Sequence, residues 1–363
     1  MSAVVKPVLI MAGGTGGHIF PGIAVAQELR ARNVPVLWLG SAGGLETRLV
    51  PQAGLPIETL AIGGVRGKGV LALVTAPLRI LRAVVASWRL LRKWGPGSAL
   101  ALGGFASGPG GIAAWLRGVP LIVHEQNSIP GVTNRILARI ARKVLCGFAG
   151  TFAGAEWTGN PVRREIAAAP APDARAEHGD GPVRLLVLGG SQGARGLNLA
   201  MPQVLCRVRA QRRPLVRHQC GAKHLEETRR GYVDAGVEAQ VDAFIDDMAA
   251  AYTWADLVVC RAGALTLAEL CAVGVAAILV PFPAAVDDHQ THNAAALVGH
   301  GAARLVSEGD GFSDRLAAAL TDLLDDDGGD RRARLQSMAN AARSLARPDA
   351  AARIADACLE AAA

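Results

Sequence analysis

A histidine set directly behind four glycines is the first place where this chain could do chemistry. The stretch Gly13-Gly14-Thr15-Gly16-Gly17-His18 follows the apolar run Val8-Leu9-Ile10 and precedes Ile23-Ala24-Val25-Ala26-Gln27-Glu28-Leu29. The flanks read as a buried strand and a helix. Glycines let a backbone turn come close to a ligand and aim several N–H groups at it. With a helix N-terminus behind it, such a turn is a cradle for an anion or a polar group. The imidazole of His18 adds a candidate general base at its mouth.

Other stretches have comparable chemistry. Gly103-Gly104-Phe105-Ala106-Ser107-Gly108-Pro109-Gly110-Gly111 is a second glycine cluster at a strand end, suited to another phosphate-bearing ligand or to close helix packing. His124-Glu125-Gln126-Asn127 puts four polar residues after the strand 121–123, where α/β enzymes contact ligands. Asn127 offers both a donor and an acceptor to a sugar hydroxyl or an acetamido group. Asn160-Pro161-Val162-Arg163 reads as a hinge with an arginine for an anionic ligand. In Cys260-Arg261-Ala262-Gly263-Ala264-Leu265-Thr266-Leu267-Ala268-Glu269 a strand ends, Gly263 turns, and a helix begins near Ala264. Its first N–H groups can hold a diphosphate, and Glu269 can accept from both hydroxyls of a ribose. His289 and His292 are spaced for a metal, but no third ligand is spaced to join them, so Asp287–Asn293 reads as a polar, sugar-facing helix start. Asp325-Asp326-Asp327 reads as a solvated loop. None of the glycine turns fits GxGxxG, and the 63–68 turn lacks the Walker spacing, which disfavours a dehydrogenase or a P-loop NTPase.

The elements that must position these residues alternate. Strands are predicted at 8–11, 36–40, 57–60, 99–102, 121–123 and 144–146, with helices between them, the pattern of a doubly wound parallel sheet. A Pro- and Ala-rich stretch at 167–182 reads as a linker. The pattern then restarts at Val183-Arg184-Leu185-Leu186-Val187-Leu188-Gly189-Gly190-Ser191-Gln192-Gly193, with later strands at 215–218, 257–260 and 277–281. The chain thus reads as two copies of one architecture, whose strand C-terminal ends are expected to face a cleft. The 363 residues suffice for two domains. Six cysteines with no CxxC pair fit a reducing cytosol. The N-terminus leads straight into a strand rather than a signal peptide, and no apolar run is long enough to span a bilayer.

The net charge of +7 has a local origin. Residues 60–123 contain no Asp or Glu but hold Arg66, Lys68, Arg79, Arg82, Arg89, Arg92, Lys93 and Arg117. On a helical wheel, Arg79, Arg82, Arg89, Arg92 and Lys93 span an arc of about 140°. Ile80, Val84, Trp88, Leu91 and Trp94 lie mainly on the other side. A basic flank with a Trp-bearing apolar face suits an anionic membrane surface. The 4% aromatic content and the absence of a recognition motif argue against nucleic acid.

Taken in order, these motifs resemble the bacterial peptidoglycan glycosyltransferases that add N-acetylglucosamine to undecaprenyl-diphospho-muramoylpentapeptide, converting lipid I to lipid II. The resemblance runs nearly end to end and includes Phe244-Ile245-Asp246-Asp247-Met248. It implies a GT-B fold with two Rossmann-like α/β domains. An acceptor- and membrane-binding domain would span 1–163, joined by a returning helix at 345–363, and a domain binding UDP-N-acetylglucosamine would span 164–344. It also implies a peripheral location at the cytoplasmic face of the inner membrane, with no cofactor required and with other cell-wall synthesis and division proteins as partners.

By motif match, Ile245 would meet uracil through its backbone and Glu269 the ribose. Ser191 and the turn through Ala264, Leu265 and Thr266, continuing to Leu267 and Ala268, would hold the phosphates. Gln290 and Asn127 would meet the sugar, and Arg163, Thr15, Gly16 and Gly17 would line the donor site. The acceptor diphosphate would lie on Gly14, Thr15, Gly16 and Gly17 with the Gly103-Gly104 cluster. Arg79, Arg82, Trp88, Arg89 and Arg92 match the membrane-facing surface. Where the family often has two adjacent glutamines, this chain has His289-Gln290. The reaction expected is an inverting transfer to the muramoyl 4-hydroxyl, with His18 as base and helix N-termini rather than a metal meeting the departing charge. A UDP-sugar epimerase and a non-catalytic sugar-nucleotide sensor remain the alternatives.

Overall fold

The computed structural model describes residues 5–63, 69–175, 181–190, 193–324 and 331–363. Ser191, Arg66, Lys68 and Asp325-Asp326-Asp327 lie outside the described residues. The chain forms two compact units, residues 1–163 with 347–363, and residues 164–346.

The first unit holds β1 (Val8–Ala12), α1 (Gly16–Ala31), β2 (Val36–Ser41), α2 (Glu46–Gln52), β3 (Ile57–Leu60), α3 (Gly69–Trp94), β4 (Ser98–Gly103), α4 (Ser107–Leu116), β5 (Leu121–Glu125), α5 (Val132–Leu137), β6 (Lys143–Cys146) and β7 (Glu156–Trp157). Its strands pair in the order β3-β2-β1-β4-β5-β6-β7, all parallel. The second unit holds α6 (Arg164–Ala167), β8 (Arg184–Leu188), α7 (Arg195–Cys206), β9 (Leu215–Gln219), α8 (Leu225–Asp234), β10 (Gln240–Asp242), α9 (Met248–Trp254), β11 (Leu257–Cys260), α10 (Ala264–Val273), β12 (Ala276–Leu279), α11 (His289–Val298), β13 (Ala303–Leu305), α12 (Phe312–Leu324) and α13 (Arg331–Ser344). Its order is β10-β9-β8-β11-β12-β13. Counted from each unit's first strand, both sheets run 3-2-1-4-5-6, the doubly wound Rossmann order, and the first adds β7 as a seventh strand at its edge.

Helices cover both faces of each sheet, so the central strands are apolar runs rather than alternations. Every residue of β1 is buried. The last helix, α14 (Ala350–Ala362), belongs to the first unit. It sinks Ile354, Ala355, Ala357 and Cys358 into the core that holds Val25, Leu29 and Trp38. A buried Ile contributes roughly 2 kcal/mol. Arg353 and Lys143 meet on Glu156, which pins the helix against the β6–β7 edge.

The expected linker at 167–182 is corrected. Its first part is built into the second unit. Ala169 and Pro172 are buried, and Arg175 donates to the carbonyls of Val273 and Gly274. Proline and alanine there serve packing, which composition alone does not distinguish from a spacer.

In each sheet the strand order reverses between the first and fourth strands, and ligands of open α/β sheets bind beyond the strand ends at that point. In the first unit a register shift sets Ala12 opposite Gly103. The turns after β1 and β4 therefore leave the sheet side by side. In the second unit, the turns after β8 and β11 take the same places.

Candidate active site

The glycines of the first turn divide their labour. Gly14 has φ +87°, a left-handed conformation that L side chains rarely adopt, and nothing would obstruct a Cβ there. Gly13 serves packing instead, since a Cβ would lie 2.2 Å from a carboxylate oxygen of Glu46. That carboxylate is fully buried. It accepts the Ser41 N–H at 2.9 Å, the Ser41 hydroxyl, and the Gly14 N–H at 3.0 Å. Burial pushes the Glu46 carboxyl up, but the bonds from Ser41 and Gly14 outweigh it and hold the group below its ordinary value. Glu46 thus ties the turn after β1 to the end of β2.

Replacing Glu46 with alanine strands the buried Ser41 N–H, at about 1–3 kcal/mol, and releases the part-buried Gly14 N–H. The ionised form is the stabilising one. Its contribution is present above the ordinary value of 4.5 and is lost as pH falls through the lower folded value. Melting temperature followed from about pH 7 to 3 is expected to fall more steeply in the parent than in Glu46→Gln. Parallel curves would reject this assignment.

His18 lies in the first turn of α1. Its Nδ1 is 3.1 Å from the Gly13 carbonyl and 3.4 Å from the Thr15 hydroxyl. A carbonyl oxygen only accepts, so Nδ1 carries the hydrogen of the neutral ring and the basic lone pair is on Nε2. Nε2 faces Gly103, where a Cβ would sit 2.9 Å away. Gly103 and Gly104 both have positive φ, +111° and +89°. A Cβ on Gly104 would stand 2.3 Å from the Gly13 carbonyl oxygen. The two glycine turns and His18 are thereby brought together. Gly16 and Gly17 open α1, with Thr15 extended at its N-cap. The rest of the Gly103–Gly111 cluster is corrected. Gly110 and Gly111 lie inside α4, where a Cβ would strike the Met11 sulfur at 2.5 Å or Leu137 at 2.7 Å.

The His124–Asn127 stretch is also corrected, because His124 and Glu125 are still strand, both buried. His124 bonds to the Gly159 carbonyl at 2.9 Å, and burial pushes it down to about 4. It is a neutral core histidine. Glu125 accepts from the N–H groups of Asn127 and Gly131 and from the Asn134 amide. It shapes the loop that presents Asn127, which is half-buried. Arg163 is half-buried at the end of the first segment of that unit.

In the second unit the Gln219 amide clamps Gly190, accepting its N–H at 2.9 Å and donating to its carbonyl at 3.1 Å. Gly263 caps α10 with an extended backbone and no side chain. The N–H groups of the first turn, at Ala264, Leu265 and Thr266, therefore have no intrahelical acceptor. The Leu267 side chain is 1% exposed in the core, and its N–H donates to the Gly263 carbonyl. Ala268 is half-buried in the next turn. Glu269 is 7% exposed, and its Oε2 accepts the Tyr252 hydroxyl at 3.0 Å. Tyr252 stands on α9, just after the loop that holds Ile245. One hydroxyl thus links the carboxylate to the element beside the 243–247 loop.

Gln290 is fastened by one end. Its Oε1 accepts the N–H groups of Ala262 at 3.2 Å and Phe282 at 2.9 Å. This orients the Nε2 donor beside the turn after β11. His289 is spent on the Val286 carbonyl at 2.8 Å. Among the described residues no group of three or more His, Cys, Asp or Glu is placed to hold a metal ion.

On α3, Arg79, Arg82, Arg89 and Arg92 are exposed. The apolar side splits: Leu91 is core, whereas Ile80 and Trp88 are open to solvent, Trp88 at 38%. Leu78, Leu81 and Val85 are exposed too, as are Trp115 and Leu116 at the end of α4. Arg117 stacks on Trp88 at 4.8 Å and joins the two helices.

Residues 8–146 match the glycosyltransferase family 28 N-terminal domain, and residues 184–354 its C-terminal domain. The UDP-N-acetylglucosamine–N-acetylmuramyl-(pentapeptide) pyrophosphoryl-undecaprenol N-acetylglucosamine transferase of Xanthomonas axonopodis pv. citri is 61% identical over 99% of this chain and 83% of its own length. Its counterpart in Xylella fastidiosa is 58% identical over 98% of this chain and 96% of its own. The crystal structure of Acinetobacter baumannii MurG superposes with a TM-score of 0.84 at 38% identity, over 98% of this chain and 99% of that one. A UDP-GlcNAc 2-epimerase from Neisseria meningitidis, at 12% identity and a TM-score of 0.66, shares the fold. The chain belongs to glycosyltransferase family 28, among the UDP-N-acetylglucosamine–N-acetylmuramyl-(pentapeptide) pyrophosphoryl-undecaprenol N-acetylglucosamine transferases.

Proposed function

We infer that the chain transfers N-acetylglucosamine from UDP-N-acetylglucosamine to the 4-hydroxyl of lipid I, with inversion, giving lipid II for peptidoglycan synthesis. The observation that carries this is identity of 58–61% over nearly the whole chain to transferases of that name.

The second unit is the donor domain in this reading. The Ile245 backbone meets uracil, and Glu269, oriented by Tyr252, accepts from the ribose. The diphosphate lies on the open N–H groups of α10 at Ala264, Leu265 and Thr266, together with Ser191. The helix dipole and these N–H groups stabilise the charge that develops as UDP departs. Gln290 and Asn127 meet the sugar, and Arg163 meets the donor's charge. The first unit takes the acceptor diphosphate on Gly14, Thr15, Gly16 and Gly17 with Gly103 and Gly104. Nε2 of His18 removes the proton of the attacking hydroxyl as the anomeric carbon takes on oxocarbenium character.

No helix among the described residues is long and apolar enough to cross a membrane. The basic, apolar surface of α3 and α4 docks on the anionic cytoplasmic face of the inner membrane, where the acceptor resides. Its exposed tryptophans and arginines support this reading.

The decisive measurement is transfer of radiolabelled N-acetylglucosamine to lipid I. Labelled lipid II with release of UDP is expected. Formation of the 2-epimer from UDP-N-acetylglucosamine alone would establish an epimerase instead. Nucleotide binding without UDP release would establish a sensor.

A further inference from the structure

The first unit contains an apolar groove of about 670 Å³ whose lining shares Arg79, Ile80 and Arg82 with the membrane-facing side of α3. Its walls come from the end of β3 at Leu60 and Ile62, from α3 at Ile80 and Ala83, and from Ile112 of α4 and Ile136 of α5. Phe105, 49% exposed, stands at one end. Ile80, Val132 and Ile136 are likewise exposed. Uncovered apolar surface gathered into a concavity marks a binding site more often than scattered exposure does.

Two observations say what fits it. First, groove and anion cradle share one connection: Gly103 and Gly104 end β4, and Phe105, Gly108 and Pro109, the next steps of the same chain, line the groove. Second, its lining is mostly apolar but includes Arg79 and Arg82, with Thr133 as the one other polar side chain. A diphosphate cradle whose chain continues directly into the wall of an apolar groove carrying two guanidinium groups complements an amphiphile with an anionic head and a hydrocarbon tail.

We propose that this groove holds the first isoprene units of the polyprenyl diphosphate acceptor, so that the enzyme binds the start of the lipid tail as well as the head. The proposal rests on the acceptor site assigned above. It differs from docking on the bilayer, because it places hydrocarbon inside the protein, between α3, α4 and α5.

The test uses two water-soluble acceptors with the same diphospho-muramoylpentapeptide head, one ending in a methyl group and one in a ten-carbon diprenyl chain. No vesicles are present, so membrane docking does not enter. The parent protein is expected to show a KM at least about 30-fold lower for the prenyl acceptor, as burial of a five-carbon unit implies. Ala86→Phe, which puts a ring into the groove from α3, is expected to erase most of that ratio. KM for the methyl acceptor and for UDP-N-acetylglucosamine should stay within twofold of the parent, which also reports that the variant folds. A parent indifferent to the tail, or a ratio unchanged in Ala86→Phe, overturns the proposal. So does a dimer in sedimentation that Ala86→Phe breaks while the ratio persists, because the groove is then covered by a second copy. Turnover of neither acceptor overturns the assigned reaction itself, whereas equal turnover of both overturns only the groove.

Discussion

Replacing His18 with alanine is expected to lower kcat by about 10²–10⁴, the span that general-base catalysis contributes. KM for UDP-N-acetylglucosamine should hardly move, because the imidazole acts on the attacking hydroxyl rather than on the nucleotide. The direction of the ring supports this. Nδ1 is engaged by the Gly13 carbonyl, so the lone pair is on the nitrogen that faces the Gly103 turn. A residue acting only in the transition state lowers kcat and kcat/KM together. Steady-state transfer kinetics with lipid I check this. A loss below tenfold, or a loss confined to KM, would remove His18 from the role of base.

The second large effect concerns the membrane. Reversing Arg79, Arg82, Arg89 and Arg92 to glutamate should lower binding to anionic vesicles by at least about 10³, since each basic residue near such a surface contributes roughly 1 kcal/mol and reversal adds repulsion. Raising the salt should weaken the parent's binding in the same direction. Reversing only Arg89 and Arg92, which lie outside the glycine turns, the donor site and the groove, should weaken vesicle binding in the same direction while transfer to the methyl-tailed soluble acceptor persists. Equal vesicle binding by parent and variant, measured by co-sedimentation, would reject the docking surface.

Much of this architecture was legible because parallel strands covered on both faces are written as uninterrupted apolar runs. Val8-Leu9-Ile10 and Leu185-Leu186-Val187-Leu188 announce the two sheets, and the glycines behind them announce the turns. The short edge strands β7, β10 and β13, of two or three residues, carry no such run and are not visible. Nor is the purpose of an individual glycine, which depends on what stands opposite it. Gly110 makes room for Met11, 99 positions away, and Gly13 for Glu46. The supporting residues are hidden for the same reason. Glu46 reaches Gly14 across 32 positions and Tyr252 reaches Glu269 across 17. Their best signals are weak: an acidic residue just after Gly43-Gly44, and one of two tyrosines in the whole chain.

The final helix has a consequence for biogenesis. Residues 350–362 complete the core of the first unit, yet they are synthesised only after the whole second unit. During synthesis the nascent first half must wait, with Val25, Leu29 and Trp38 incompletely covered, until the second unit has been translated. The second half meets no such delay, so its maturation comes first, and a chain cut before residue 350 would leave the opening domain as the casualty.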